Sequence, residues 1–131
     1  MIALDTSVIV AIALEEPEAE LFGEIIGSER CLIGAPTVFE SHMVLTDVPQ
    51  RRGLDVLDKV LGAPYLEIVP FGPRILDDAR LAFDRYGKGR GHKAQLNFGD
   101  CMAYAVARAH DLPLLYKGDD FAKTDIRSAL P

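Results

Sequence analysis

Met1-Ile2-Ala3-Leu4-Asp5-Thr6-Ser7 is a short apolar run broken by an acid and two hydroxyl residues. The run reads as a strand ending at Asp5, and residues 7–14 read as a helix. Outward from there the pattern repeats. Residues 32–33, 66–69 and 114–116 read as further short strands, and 17–27, 36–47, 54–61, 74–86 and 98–110 as helices. Pro17 and Pro36 suit a first helical turn, where the N–H that proline lacks would be unbonded anyway. In 98–110, Phe98, Met102, Ala105, Val106 and Ala109 fall on one face. Short strands alternating with helices give an α/β fold, a mostly parallel sheet with helices on both faces. The 131 residues make one domain, 1–131, with no room for a second.

Composition narrows the class. Lys+Arg 14 against Asp+Glu 20 leave a net charge of −6, which excludes a uniformly basic nucleic-acid binder. A hydrophobic fraction of 49% with 26% charged residues excludes disorder. The mean hydropathy of +0.12 is slightly apolar for so small a domain and points to a face covered by a partner chain. Glu15, Glu16 and Pro17 end the longest early apolar stretch, so no membrane span is expected. The opening lacks the basic region and cleavage pattern of a secretory signal. Cys31 and Cys101 are far apart with no CxxC spacing, so two buried free thiols in a reducing, cytoplasmic setting are expected.

In open parallel sheets, sites lie outside the carboxyl ends of the strands. Asp5 ends the first strand, and Asp119 and Asp120 follow the last. Glu40 sits early in the helix after the second strand, and Asp100 in the first turn of the helix 98–110. Singly, each has an ordinary reading as a turn former, cap or dipole partner. Together, carboxylates this close repel unless one is protonated or a cation joins them. A hard divalent ion with oxygen ligands answers that need. Thr6 and Ser7 are read first as helix caps and second as holders of a metal-bound water, and Asn97 as the N-cap that aims Asp100.

These residues carry a family resemblance. Ile2-Ala3-Leu4-Asp5-Thr6-Ser7, Thr37-Val38-Phe39-Glu40-Ser41, Leu96-Asn97-Phe98-Gly99-Asp100-Cys101-Met102-Ala103-Tyr104-Ala105 and Leu114-Leu115-Tyr116-Lys117-Gly118-Asp119-Asp120-Phe121 with Thr124-Asp125-Ile126 are similar, in order, to the four acidic motifs of PIN-domain proteins. Gly89-Arg90-Gly91-His92 leading into 96–100 resembles, more narrowly, the VapC toxins of type II toxin–antitoxin systems. The resemblance implies a three-layer PIN-like sandwich with a five-stranded parallel sheet. It implies a ribonuclease dependent on Mg²⁺ or Mn²⁺, with one or two ions per site, a homodimer and a VapB-type antitoxin partner. Carried over by position, Asp5, Glu40 and Asp100 match the first three acids, and Asp120, with Asp119 adjacent, the fourth.

The basic segment before Asp100 is a candidate for holding RNA: Arg85, Lys88, Arg90, His92 and Lys93 follow phosphate-binding chemistry. A solvated flexible loop at 87–93 is the plain alternative. Tyr86 and Tyr116 are read as core aromatics first and base-stacking residues second. The helices at 7–27 and 36–62 carry many apolar residues, including Ile12, Leu14, Leu21, Phe22, Ile25 and Ile26; some must face the core, and the rest offer a groove for a partner helix. Two rival readings remain: a catalytically silent PIN-fold binding protein, or a different acidic metal-dependent α/β phosphohydrolase.

Overall fold

The computed structural model describes residues 1–130. Strands β1 (Ile2–Leu4), β2 (Cys31–Gly34), β3 (Leu66–Val69) and β4 (Leu114–Leu115) pair in parallel in the order β3-β2-β1-β4. The connections carry six helices: α1 (Thr6–Ala13), α2 (Ala19–Ser28), α3 (Ala35–Leu45), α4 (Arg52–Leu61), α5 (Pro73–Tyr86) and α6 (Phe98–Ala109).

Side chains alternate across a strand, so each strand feeds two cores. Ile2, Leu4, Cys31, Ile33 and Leu115 pack under α1, α2, α3 and α4. Ala3, Leu32, Val69 and Leu114 face the other way, onto α5 and α6. The sheet is the middle of three layers, as expected.

Four strands form among the described residues, not five. Beyond β4 the chain makes one parallel bridge, Leu114 to Ser128, with Leu114 N–H donating to Arg127 O at 2.8 Å and Ala129 N–H to Leu114 O at 2.9 Å. β4 is only two residues long, so its outer edge has room for little more.

Three other expectations are corrected. Pro17 lies outside α2, whose N-cap is Glu18. The apolar face assigned to the last helix is wrong at Phe98, which is 79% exposed, while Cys101, Ala103, Tyr104, Ala105, Val106 and Ala107 are buried. α6 touches β1, β2, α3 and α5, and a helix buried nearly all round has no single stripe to read. Phe22 and Ile26 belong to the core, so neither lines a groove, and the apolar residues exposed on that side are Leu14 and Leu21.

Both cysteines are free and buried. Burial pushes each thiol up to about 11, so neither is a ready nucleophile. No helix among the described residues is long and apolar enough to cross a membrane.

The segment after α5 is a closed loop. Lys88 N–H donates to Leu96 O at 2.9 Å, Leu96 N–H donates to Tyr86 O at 2.8 Å, and Ala94 and Leu96 are fully buried. Its outer turn keeps Lys88, Arg90 and Lys93 exposed.

Candidate active site

Each acid is set in place by the start of a helix or by a turn. Asp5 leaves β1 and caps α1: its Oδ2 accepts from Ser7 N–H at 3.0 Å. Asp100 is the third residue of α6 and shares a capping box with Asn97. Asp100 N–H donates to Asn97 Oδ1 at 2.8 Å, and Asn97 N–H donates to Asp100 Oδ2 at 3.0 Å. Asn97 is thus the cap that the sequence suggested. Glu40 reaches in from the middle of α3, its Oε1 accepting from Thr6 Oγ1. Asp120 follows the turn at Gly118, whose φ of +108° lies in the region that favours glycine.

Thr6 and Ser7 do not cap α1, because Asp5 already does. Thr6 bonds across to α3, and Ser7 Oγ accepts from Lys117 N–H at 2.9 Å, tying α1 to the end of β4. Sequence spacing gave no hint of either bond, since the partners are 34 and 110 positions away.

The electrostatics are one-sided. Asp5 is 5% exposed, and its carboxyl is raised to about 6, first by burial and further by the charges of Asp100 and Glu40, against the opposing Ser7 hydrogen bonds. Asp100 is raised too, by burial and then by Asp120 and Glu40, with the Asn97 backbone bond working the other way. Asp120, not Asp119, is the member of its pair whose charge Asp100 feels. None of Asp5, Glu40, Asp100 and Asp120 forms an ion pair among the described residues.

The donor set fits a hard cation: it is all oxygen, buried in part, and lacks protein counter-charge. Among the described residues no three His, Cys, Asp or Glu side chains stand together so as to hold a metal ion by themselves. An ion that keeps most of its waters needs only one or two carboxylates directly.

The basic loop divides by partner. His92 is spent on the loop itself, its Nδ1 accepting from Ala94 N–H at 3.0 Å and its ring meeting Tyr86 edge-on at 4.9 Å. Arg85 lies 4.0 Å from Asp125, and Arg90 stands over the Phe83 ring. Lys88 and Lys93 pair with no acid among the described residues. Tyr86 packs on Tyr104 and Tyr116 on Phe121, which is the core reading of both. The exposed aromatic rings nearest the acids along the chain are Phe39, next to Glu40, and Phe98, two residues before Asp100, 64% and 79% exposed. Composition could not reveal this, because each follows the apolar pattern of its helix.

Uncompensated carboxylates gathered at one end of a parallel α/β sheet have the chemistry that metal-assisted phosphoryl transfer uses. The PIN domain family matches residues 2–127, and the chain belongs to that family. It is 39% identical over 124 residues to a ribonuclease VapC of Mycolicibacterium smegmatis, covering 94% of this chain and 95% of that one. It is 38% identical over 130 residues to ribonuclease VapC30 of Mycobacterium tuberculosis, covering 98% of each. The fold superposes on VapC20 of Mycobacterium tuberculosis, a sarcin-ricin-loop-cleaving toxin, with a TM-score of 0.78 at 13% identity over 100% of both chains. It also superposes on a chain of VapBC2 from Rickettsia felis, a complex bound to promoter DNA, with a TM-score of 0.72 at 16% identity, covering 98% and 96%. Ribonucleases of this family are metal-dependent.

Proposed function

We propose that this chain, as a single domain over 1–131, is the toxin of a VapBC-type pair and hydrolyses RNA phosphodiesters at the Asp5–Glu40–Asp100–Asp120 pocket. The observation that carries the reading is the gathering of four carboxylates from four elements with no cation of the protein beside them. Asp5 and Asp100 would hold Mg²⁺ or Mn²⁺ directly, with Glu40, Asp120 and neighbouring Asp119 completing the set through water or a second ion. The chemistry a divalent ion would supply there, when held by these residues, is polarisation of the phosphoryl group and a more acidic attacking water.

The chain's own residues do the rest. The Ser7 N–H and the Asn97 capping box fix the directions of Asp5 and Asp100 before substrate arrives. Glu40 and Asp120 orient the attacking water from the rim. Lys88, Arg90 and Lys93 draw the RNA backbone toward an otherwise repelling pocket. With water as nucleophile, the products carry a 5′-phosphate and a 3′-hydroxyl, and the ribose 2′-hydroxyl takes no part.

The partner is a VapB-type antitoxin. Its arginine would pair bidentately with the pocket acids, and its apolar side chains would cover Leu14 and Leu21. The working form is a cytoplasmic homodimer. The test is cleavage of an end-labelled RNA pool with Mn²⁺ or Mg²⁺, with EDTA, and with Asp5→Ala. Metal-dependent cutting is expected, abolished by Asp5→Ala and retained when the cut site carries a 2′-O-methyl group. Equal cutting by both proteins would sink the reading.

A further inference from the structure

The first turn of α6 holds a position that sequence reading gives no role. Gly99, between Phe98 and Asp100, is buried and has none of the left-handed backbone that calls for glycine. Glycine within a helix is unfavourable relative to alanine, so its presence needs another cause. That cause lies across the pocket. A methyl group built on Gly99 overlaps all three atoms of the Glu40 carboxyl group, and even the farthest, Oε1, would be 2.7 Å away. Those three atoms are its nearest neighbours. The Glu40 carboxyl therefore rests directly on the backbone of α6.

Its other contact is Thr6, whose Oγ1 donates to Glu40 Oε1. Thr6 is itself 8% exposed and lies 3.3 Å from Ser41 Oγ, which donates to Thr37 O at 2.8 Å. A free glutamate has several rotamers of similar energy. Here the Thr6 hydrogen bond on the α1 side and the α6 backbone at Gly99 select one of them.

We infer that Gly99 and Thr6 are positioning residues that hold the Glu40 carboxylate at the Asp5–Asp100 pocket, and that position 99 is glycine because a side chain there would expel that carboxylate. The catalytic consequence rests on the ribonuclease reading above, whereas the placement of Glu40 does not. The obstacle to a methyl group is the far end of one flexible side chain, so the fold accommodates alanine at 99 and the site loses its geometry.

The experiment compares Gly99→Ala, Glu40→Asp and the double variant by thermal melting, by kcat and KM for Mn²⁺-dependent RNA cleavage, and by a crystal structure of Gly99→Ala. Gly99→Ala is expected to melt at the same temperature as the parent or higher. Its kcat falls about tenfold or more, as for other residues that orient a site through a neighbour, with KM little changed. The shorter carboxylate of Glu40→Asp leaves room for the methyl group. The double variant therefore recovers part of the loss, although Glu40→Asp alone loses activity. In the crystal structure the Glu40 carboxylate has left Thr6 Oγ1. A Gly99→Ala protein with full kcat, a double variant that only adds the two losses, or a crystal structure with the Thr6–Glu40 bond intact overturns the inference. Should the parent cut no RNA, the ribonuclease reading fails, and the crystal structure alone decides the placement of Glu40.

Discussion

Two groups of carboxylates face different fates in this molecule. Asp78 and Asp125, at the packing of α5 against α6, are met by cations: Arg108 Nε lies 3.2 Å from Asp78, and Arg108 Nη1 lies 3.5 Å from Asp125. Asp125 also accepts from the buried Tyr104 hydroxyl at 2.6 Å. Asp5, Glu40, Asp100 and Asp120 receive hydrogen bonds at most, and their charges act on one another. The first group joins elements together. The second is held together by the fold against its own repulsion, and a fold tolerates such a cost chiefly at sites that use it.

Asp5→Asn tests that contrast most severely. Asparagine keeps the cap on α1, because its side-chain oxygen still accepts from Ser7 N–H. Cleavage should fall about a hundredfold or more, since the substitution removes a ligand charge at the reacting centre. Stability without metal should move the other way. A carboxyl raised from 3.8 to about 6 binds a proton more tightly folded than unfolded. It therefore destabilises the fold increasingly as pH rises from 3.8 to about 6, and fully above that, by about 3 kcal/mol. Metal-free Asp5→Asn should melt higher than the parent at pH 7, and acidification to pH 5 should narrow the gap. Melting temperatures lower than the parent's at pH 7 would remove Asp5 from the uncompensated group.

Added Mn²⁺ should close most of that gap. At a hundredfold excess over its dissociation constant an ion binding only the folded state stabilises by about 2.7 kcal/mol. The parent should gain this and Asp5→Asn little of it, as read by calorimetry. Equal gains would place the ion elsewhere.

On the paired side, Asp125→Ala strands the Tyr104 hydroxyl, which is fully buried. The expected cost is about 1–3 kcal/mol of stability in denaturant unfolding, with a smaller loss of cleavage than Asp5→Asn causes. The reverse ranking would make Asp125 part of the chemistry. Smallest of all, Lys88→Ala or Lys93→Ala should raise KM for RNA a few-fold. Each should flatten the salt dependence by about 0.7 in log–log slope for a single strand, if it removes one phosphate contact.

Much of this was legible in the chain. The alternation of strands and helices, the three layers and the places of Asp5, Asp100 and Asn97 follow from local pattern, because caps and strand ends are local events; Glu40, read as early in its helix, stands instead in the middle of α3. The bonds from Thr6 to Glu40 and from Lys117 to Ser7 join residues far apart, and no periodicity encodes them. Phe22 and Phe98 were placed on the wrong sides because an apolar residue announces burial without saying against what. Gly99 was invisible for the opposite reason: its role is the space it leaves.

The sheet order β3-β2-β1-β4 has a consequence in time. The first strand along the chain lies inside the sheet, and its second neighbour, β4, is separated from it by about 110 residues of synthesis, as the Ser7–Lys117 bond marks. At about 5–20 residues per second a ribosome takes on the order of 5–20 s to cover that span. Until then the nascent chain carries Asp5 and Glu40 without Asp120, and β1 has an open edge. A nuclease so ordered cannot assemble its pocket on the ribosome that is making it before the residues around Lys117 and Asp120 have been synthesised.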